Sequence, residues 1–361
     1  MTNSPTLTPI AAGLQHQRAG RFAEAEQVYK LLLQEQPDSV DALNLLGALV
    51  YEDSRYEEAQ DYFERVLNLK PGAESHNSMG IVLKARGHYQ EAVDHYRQAL
   101  TLKPEQPEVL SNLGNALKEI GELEEAIAVY EQALALRPNY AEAHNNLGII
   151  YKERGDLDKA SRCYREALSL KPNYAEAHHN LGIVLGIQGK AEEAVRYFQQ
   201  AIALKPNYAD AYLNLGSTLQ QQGKLEEAIA QYQRLLALKP NHADGANSLA
   251  LALQQQGDID GAIAAFKRAL ELRPNFPGVC NNLGNLLLET EQTEAAIAHY
   301  ERAIELRPNY PEALNNLGNA LQKQGQIPQA IANYRKALEL KPNFVEALSN
   351  LGAVLKDQHK L

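Results

Sequence analysis

The sequence predicts an all-α fold, an open superhelical solenoid of antiparallel helix pairs. Three observations carry that expectation. A phrase returns every 34 residues: "PNYAEAHNNLG" begins at Pro138, "PNYAEAHHNLG" at Pro172 and "PNYADAYLNLG" at Pro206. Within each period the apolar residues fall three, four and seven apart in two runs, which is the spacing of amphipathic helices. Glycine and proline punctuate the runs at fixed places, glycine where a helix needs a left-handed exit and proline where it cannot continue.

Looser copies of the phrase start at Pro240, Pro274, Pro308 and Pro342. Aligned on the Leu-Gly pair, the chain divides into a tail at 1–5, ten units over 6–344 and a half unit at 345–361. The second unit, 40–72, is one residue short at "KPGAE", and the first has Ala12 before Gly13 in place of leucine. The unit at 141–174 illustrates the elements in order. A first helix carries Ala143, Leu147, Ile150 and Tyr151, Gly155 turns the chain, and a second helix carries Leu157, Ala160, Tyr164, Ala167 and Leu168. Pro172 then stops it, and Asn173 with Glu176 three places on has the spacing of a capping box for the next helix. Small residues such as Gly148, Ala160 and Ala167 let the helices approach closely. One hairpin of this size cannot bury its apolar face alone, so each must lean on the next. The last segment, "VEALSNLGAVLKDQHKL", is a first helix without its partner, either a cap or the start of a further unit.

Composition bounds the function. Hydrophobic residues make up 45% of the 361 and charged residues 22%, enough for an ordered chain. The formal charge is -10, with 45 acidic and 35 basic residues, so nucleic acid and anionic membranes are poor partners. Neither a signal peptide nor an apolar run near the ~18 residues of a membrane span is present, which makes the expected location cytoplasmic. Cys163 and Cys280 lie more than three units apart, so no disulfide is expected. No HExxH, GxSxG or phosphate-binding glycine motif occurs, and His76, His144 and His178 sit at a fourth place that packs. No catalytic residue, metal or cofactor is expected, and the chain is not expected to be an enzyme.

The residues Leu147, Gly148, Tyr151, Ala160, Tyr164, Ala167 and Pro172, repeated along nearly the whole chain, resemble the tetratricopeptide repeat. The resemblance implies a right-handed superhelix of about ten repeats with a C-terminal helix, the first helices lining its concave groove. The sixth place of those helices holds Asn112, Asn146, Asn180, Asn214, Asn282, Asn316 and Asn350. Asparagine is a mediocre helix former, so something other than helix stability selects it. A carboxamide both donates and accepts, matching a peptide bond, and an extended ligand rising ~3.3 Å per residue would meet a rung about every third residue if first helices stand ~8–10 Å apart. The bland alternative is that the amides were copied with the repeat or bond the adjacent hairpin. The sixth place reads Ser78 and Ser248 in two other units and Leu45 in a third, whereas the ninth place, with Asn115, Ile149, Ile183, Ser217, Leu251, Asn285 and Asn319, varies freely, which favours use of the more constant sixth place. Acidic residues at the second place, among them Glu108, Glu142, Asp210, Asp244 and Glu312, would either favour basic ligands or simply stabilise the helix dipole.

The asparagines, the aromatics Tyr140, Tyr174, Tyr208, Phe276, Tyr310 and Phe344, and stretches such as "SNLGNALKEIGELEEAIAVYEQALALRP" from Ser111 further resemble the tetratricopeptide segment of O-linked N-acetylglucosamine transferases. In that family the ladder holds substrate peptides for a following glycosyltransferase domain, for which 361 residues leave no room. The expectation is therefore a non-catalytic scaffold for proteins or peptides in extended conformation, of unknown oligomeric state. The alternative is the substrate-recognition region of such a transferase, its catalytic domain absent. Carboxamides used up inside the array would remove the ladder's basis.

Overall fold

The computed structural model describes residues 8–358. The expected tail at 1–5 and the last three residues of the 345–361 segment lie outside the described residues. The chain forms two compact units, Met1–Asn180 and Leu181–Leu361. The first contains α1 (Pro9–Arg18), α2 (Phe22–Glu35), α3 (Val40–Glu52), α4 (Tyr56–Leu69), α5 (Ala73–Ala85), α6 (Tyr89–Leu102), α7 (Pro107–Glu119), α8 (Leu123–Leu136), α9 (Ala141–Glu153) and α10 (Leu157–Leu170), and the division falls within α11 (Ala175–Ile187). The second contains α12 (Ala191–Leu204), α13 (Ala209–Gln221), α14 (Leu225–Leu238), α15 (Ala243–Gln256), α16 (Ile259–Leu272), α17 (Pro277–Glu289), α18 (Thr293–Leu306), α19 (Pro311–Lys323), α20 (Ile327–Leu340) and α21 (Val345–Gln358). All 21 elements are helices, with no strand among the described residues. In each unit helices pack on their neighbours in sequence, and first helices also touch the next first helix, as α5 touches α7 and α17 touches α19. This is the solenoid packing of helix pairs that the periodicity predicts and that the resemblance to the tetratricopeptide repeat implies.

The local causes are visible in one hairpin. Gly155 takes φ 79°, and the chain reverses there with Asp156 N–H bonded to Tyr151 O at 2.8 Å, a left-handed exit that costs glycine nothing. Ser54 and Glu291 hold the corresponding positions with φ 62°. A Cβ at Gly148 would lie 2.7 Å from Cε1 of Tyr164, so the tyrosine ring occupies the space that a side chain would fill. Ala160 and Ala167 are fully buried on either side. The core of each unit is built this way, from large rings such as Tyr130 and Tyr300 laid against glycine and alanine.

The joint between hairpins differs from the expected capping box. His178 N–H bonds Tyr174 O at 3.1 Å, so the tyrosine, not Asn173, opens α11. The starts of α9 at Tyr140 and of α13 at Tyr208 have no side-chain cap. After the proline, Tyr174 N–H closes a turn onto Lys171 O at 3.1 Å, which places the asparagine one residue too early to cap. The fourth-place residue ties the joint instead: His144 Nε2 lies 3.0 Å from Pro138 O, and Tyr212 Oη donates to Pro206 O at 3.2 Å. His76 departs from this pattern, its Nδ1 lying 3.0 Å from Nδ1 of His95, and burial lowers both imidazoles' affinity for protons.

Candidate peptide-binding face

Each of the seven asparagines is half-buried on a first helix. In the first unit Asn112 Nδ2 donates to Asn77 Oδ1 at 3.3 Å, Asn146 Nδ2 to Asn115 Oδ1 at 3.2 Å and Asn180 Nδ2 to Asn145 Oδ1 at 3.1 Å. In the second, Asn316 Nδ2 lies 3.0 Å from both Asn281 Oδ1 and Asn285 Oδ1, and Asn350 Nδ2 lies 3.0 Å from Asn315 Oδ1. Every acceptor belongs to the preceding hairpin, at its fifth or ninth place. The donor half of these five carboxamides therefore stitches hairpin to hairpin, the arrangement the bland alternative described. Two places stand apart. Asn282 makes no side-chain hydrogen bond among the described residues, and Oδ1 of Asn247, at the fifth place before it, is buried without a partner. Asn214 lies on α13, where its backbone oxygen accepts from Thr218 Oγ1 at 2.8 Å.

The acceptor half is differently placed. Oδ1 of Asn146 and Asn316 accepts from the adjacent Asn145 and Asn315 at 3.3 and 3.5 Å. Oδ1 of Asn112, Asn180, Asn282 and Asn350 accepts no side-chain hydrogen bond among the described residues. A carboxamide held by its nitrogen and carrying an uncommitted oxygen is an oriented acceptor.

The free variation expected of the ninth place is corrected by the buried tyrosines. Tyr130 Oη donates to Asn115 Oδ1 at 2.7 Å, Tyr300 to Asn285 at 2.7 Å and Tyr334 to Asn319 at 2.8 Å. Where the ninth residue is Ile183 or Leu251, the residue 15 places on is Phe198 or Phe266, which has no hydroxyl. Tyr232, across from Ser217, donates instead to Gln220 at 2.9 Å. Two mismatches remain, Tyr96 with Ile81 and Tyr164 with Ile149, and both hydroxyls are buried without a partner. Burial holds Tyr96, Tyr130 and Tyr164 above the usual phenol range. The pairing was legible in the sequence as a co-variation 15 residues apart between asparagine and tyrosine. Tyr164→Phe is expected to stabilise the first unit by about 1 kcal/mol, because it removes an unpaired hydroxyl, and Tyr130→Phe to destabilise it by a similar amount. Urea midpoints of the two variants check this, and shifts of the same sign would contradict it.

The second-place carboxylates also have internal partners. Arg137 pairs with Glu108, Lys171 with Glu142 at 2.8 Å, Lys239 with Asp210 at 3.5 Å, Arg273 with Asp244 at 2.6 Å and Lys341 with Glu312 at 3.3 Å. Those cations hold the carboxyl groups of Glu108, Glu142 and Asp244 below their ordinary range. Four of the five, Lys239 excepted, also lie over the joint aromatic three residues on, from 4.5 Å for Lys341 over Phe344 to 5.1 Å for Arg137 over Tyr140. The aromatics pack at the joints, half-buried or, for Phe344, buried.

Both cysteines are free thiols, and burial pushes Cys163 up to about 11. Among the described residues no three His, Cys, Asp or Glu side chains come together as a metal site. No described helix is long and apolar enough to cross a membrane.

Comparison with known proteins places this architecture. A family model described as the Cilia and flagella-associated protein 70 C-terminal domain matches residues 72–276. Tetratricopeptide repeat models match residues 10–74, 284–325 and 319–358. No curated protein matches the chain. Among solved structures, that of Pseudomonas aeruginosa pilF is 23% identical with a TM-score of 0.52, over 58% of this chain and 95% of that one. The APC/C hetero-tetramer Cut9-Hcn1 is 19% identical with a TM-score of 0.52, over 96% of this chain and 75% of that one. Both are similar in fold. MamA is 31% identical over 45% of this chain and 95% of that one, with a TM-score of 0.43. With one model covering more than half of its residues and repeat models on either side, the chain belongs to the tetratricopeptide repeat family represented by the Cilia and flagella-associated protein 70 C-terminal domain.

Proposed function

We propose that the chain is a non-catalytic scaffold that binds extended peptide segments of other proteins in a concave groove lined by its first helices, along an array at 6–344 followed by the helix at 345–361. The observation that supports this is the set of carboxamide oxygens oriented by an engaged nitrogen, on Asn112 and Asn180 in the first unit and on Asn350 in the second, with Asn282 at the same place but unheld. With the donors of Asn112, Asn180 and Asn350 engaged by the preceding hairpin, the ladder reads peptide N–H groups and ignores side chains. Asn146, Asn214 and Asn316 hold the same place; the oxygens of Asn146 and Asn316 already accept one hydrogen bond and reach a peptide only through their second lone pair. Each such bond contributes about 0.5–1.5 kcal/mol, so the complex is weak and tolerant of peptide sequence. The transferase reading rests on the sequence pattern of the ladder and aromatics, and the families and structures matched add nothing to it.

An array of extended peptides, each with an N-methylated copy, tests the reading. N-methylation deletes the donors and is expected to lower binding several-fold, whereas exchanging side chains changes it little. Undiminished binding of the methylated copies would remove the ladder from the mechanism.

A further inference from the structure

We propose a second binding site, separate from the asparagine ladder, in which the first unit takes up an aromatic side chain from a partner protein. The site is the cavity of about 680 Å³ where α3, α4 and α5 meet. It arises where the repeat breaks its own pattern. In six joints a cation at the end of the second helix lies over an aromatic ring three residues on, at 4.5 to 5.1 Å. At the joint after α4 the sequence is "KPGAE", with Gly72 in place of the Asn-Tyr dipeptide, and at the joint after α6 it is "KPEQPE", with Gln106 in the ring's position. Lys70 and Lys103 therefore have no ring, and both line the cavity together with Gly72.

Their usual second partner is missing as well. Asp41 and Glu74 stand where Glu108 and Glu142 hold their cations, yet neither Lys70 nor Lys103 makes an ion pair among the described residues. Two exposed ammonium groups thus flank a volume whose floor is apolar, with Phe63 and Val66 buried at its base and Val40 beside them. The cavity falls within the size range of ligand sites. Charge complementarity selects the occupant. The negative face of an aromatic ring attracts an ammonium group, while the rim carries carboxylates as well as lysines and so gives no net preference for an anion. A tyrosine or phenylalanine from an extended partner segment restores in trans what the other joints supply in cis. Ser78, at the sixth place of α5, lines this cavity, but none of the seven ladder asparagines does, so removing those asparagines leaves the proposed site in place.

The test uses the full chain, the capped peptide Ac-Gly-Tyr-Gly-NH2 and its leucine counterpart, followed by amide NMR shifts at Gly72 and Ser75. The tyrosine peptide is expected to bind about 5–10-fold tighter than the leucine peptide, and Lys70→Gln or Lys103→Gln to weaken it about 2–5-fold each. Replacing Gly72 by Asn-Tyr restores the ordinary joint. This variant should keep its helicity and thermal transition while losing the tyrosine peptide, because its own ring fills the cavity. Equal affinity for the two peptides, no saturable shift with either, or undiminished binding by the refilled joint would each overturn the proposal.

Discussion

Gly148→Ala is expected to destabilise the first unit by about 1–2 kcal/mol, whereas Gly352→Ala, at the same eighth place of the repeat, is expected to stabilise the second by up to about 1 kcal/mol. At Gly148 the new methyl group would meet Cε1 and Cδ1 of Tyr164 at 2.7 and 2.9 Å. That ring is fully buried and has no flexible end to move aside. Overpacking of this kind costs about 1–3 kcal/mol, and the better helix propensity of alanine offsets about 1 of it. At Gly352 a Cβ meets nothing within 4 Å, because no second helix follows α21 among the described residues, and only the propensity gain remains. Denaturant midpoints of the two variants measure the contrast. Since a repeat array can unfold in parts, amide exchange in α9 and α10 should report the first loss locally. A neutral Gly148→Ala would mean that the hairpin tolerates a wider helix spacing than its glycine implies.

Asn316→Ala is expected to cost about 1–2 kcal/mol of stability, and Asn282→Ala less than about 0.5 kcal/mol. Asn316 Nδ2 bridges two acceptors at 3.0 Å, and one of them, Asn281, is buried. Losing the donor leaves Asn281 without that bond, while Asn285 keeps its bond from Tyr300. Asn282 has no such bond to lose. If the ladder holds peptide, both substitutions lower affinity, but only Asn282→Ala does so with stability unchanged. Thermal melts and peptide titrations on the same two proteins separate the roles. Loss of stability in both, or in neither, would contradict the division of labour assigned to the carboxamides.

The joints show how far local sequence information reached. Pro172, the 34-residue spacing and the glycine at 155 were sufficient to locate helix ends, since each depends on backbone geometry within a few residues. The capping box failed for the same local reason, a turn that shifts the helix start by one residue to Tyr174. The site was less legible. The sixth-place asparagines were visible as a recurring residue on a face read as exposed, but neither the half-burial of that face nor the engagement of their nitrogens was. Their partners are 31 or 35 residues away on the preceding hairpin, and which amide turns toward which depends on how two helices lie side by side. The second-place acids were ambiguous in sequence for the same reason. Their cations arrive 29 residues later, at the far end of the hairpin.

By itself, then, the sequence determined the repeat, the helix pairing and the positions of the turns, because a 34-residue period and 3.6-residue apolar spacing are properties of the chain taken in order. Only the tertiary structure decided what the polar side chains do: that asparagine nitrogens stitch hairpins together, that ninth-place asparagines serve buried tyrosine hydroxyls, and that two lysines of the first unit are left without ring or carboxylate. The physical reason is that a hydrogen bond or cation–ring contact is directional and short. It is settled by differences of a few tenths of an ångström in how neighbouring hairpins approach, which periodicity does not encode.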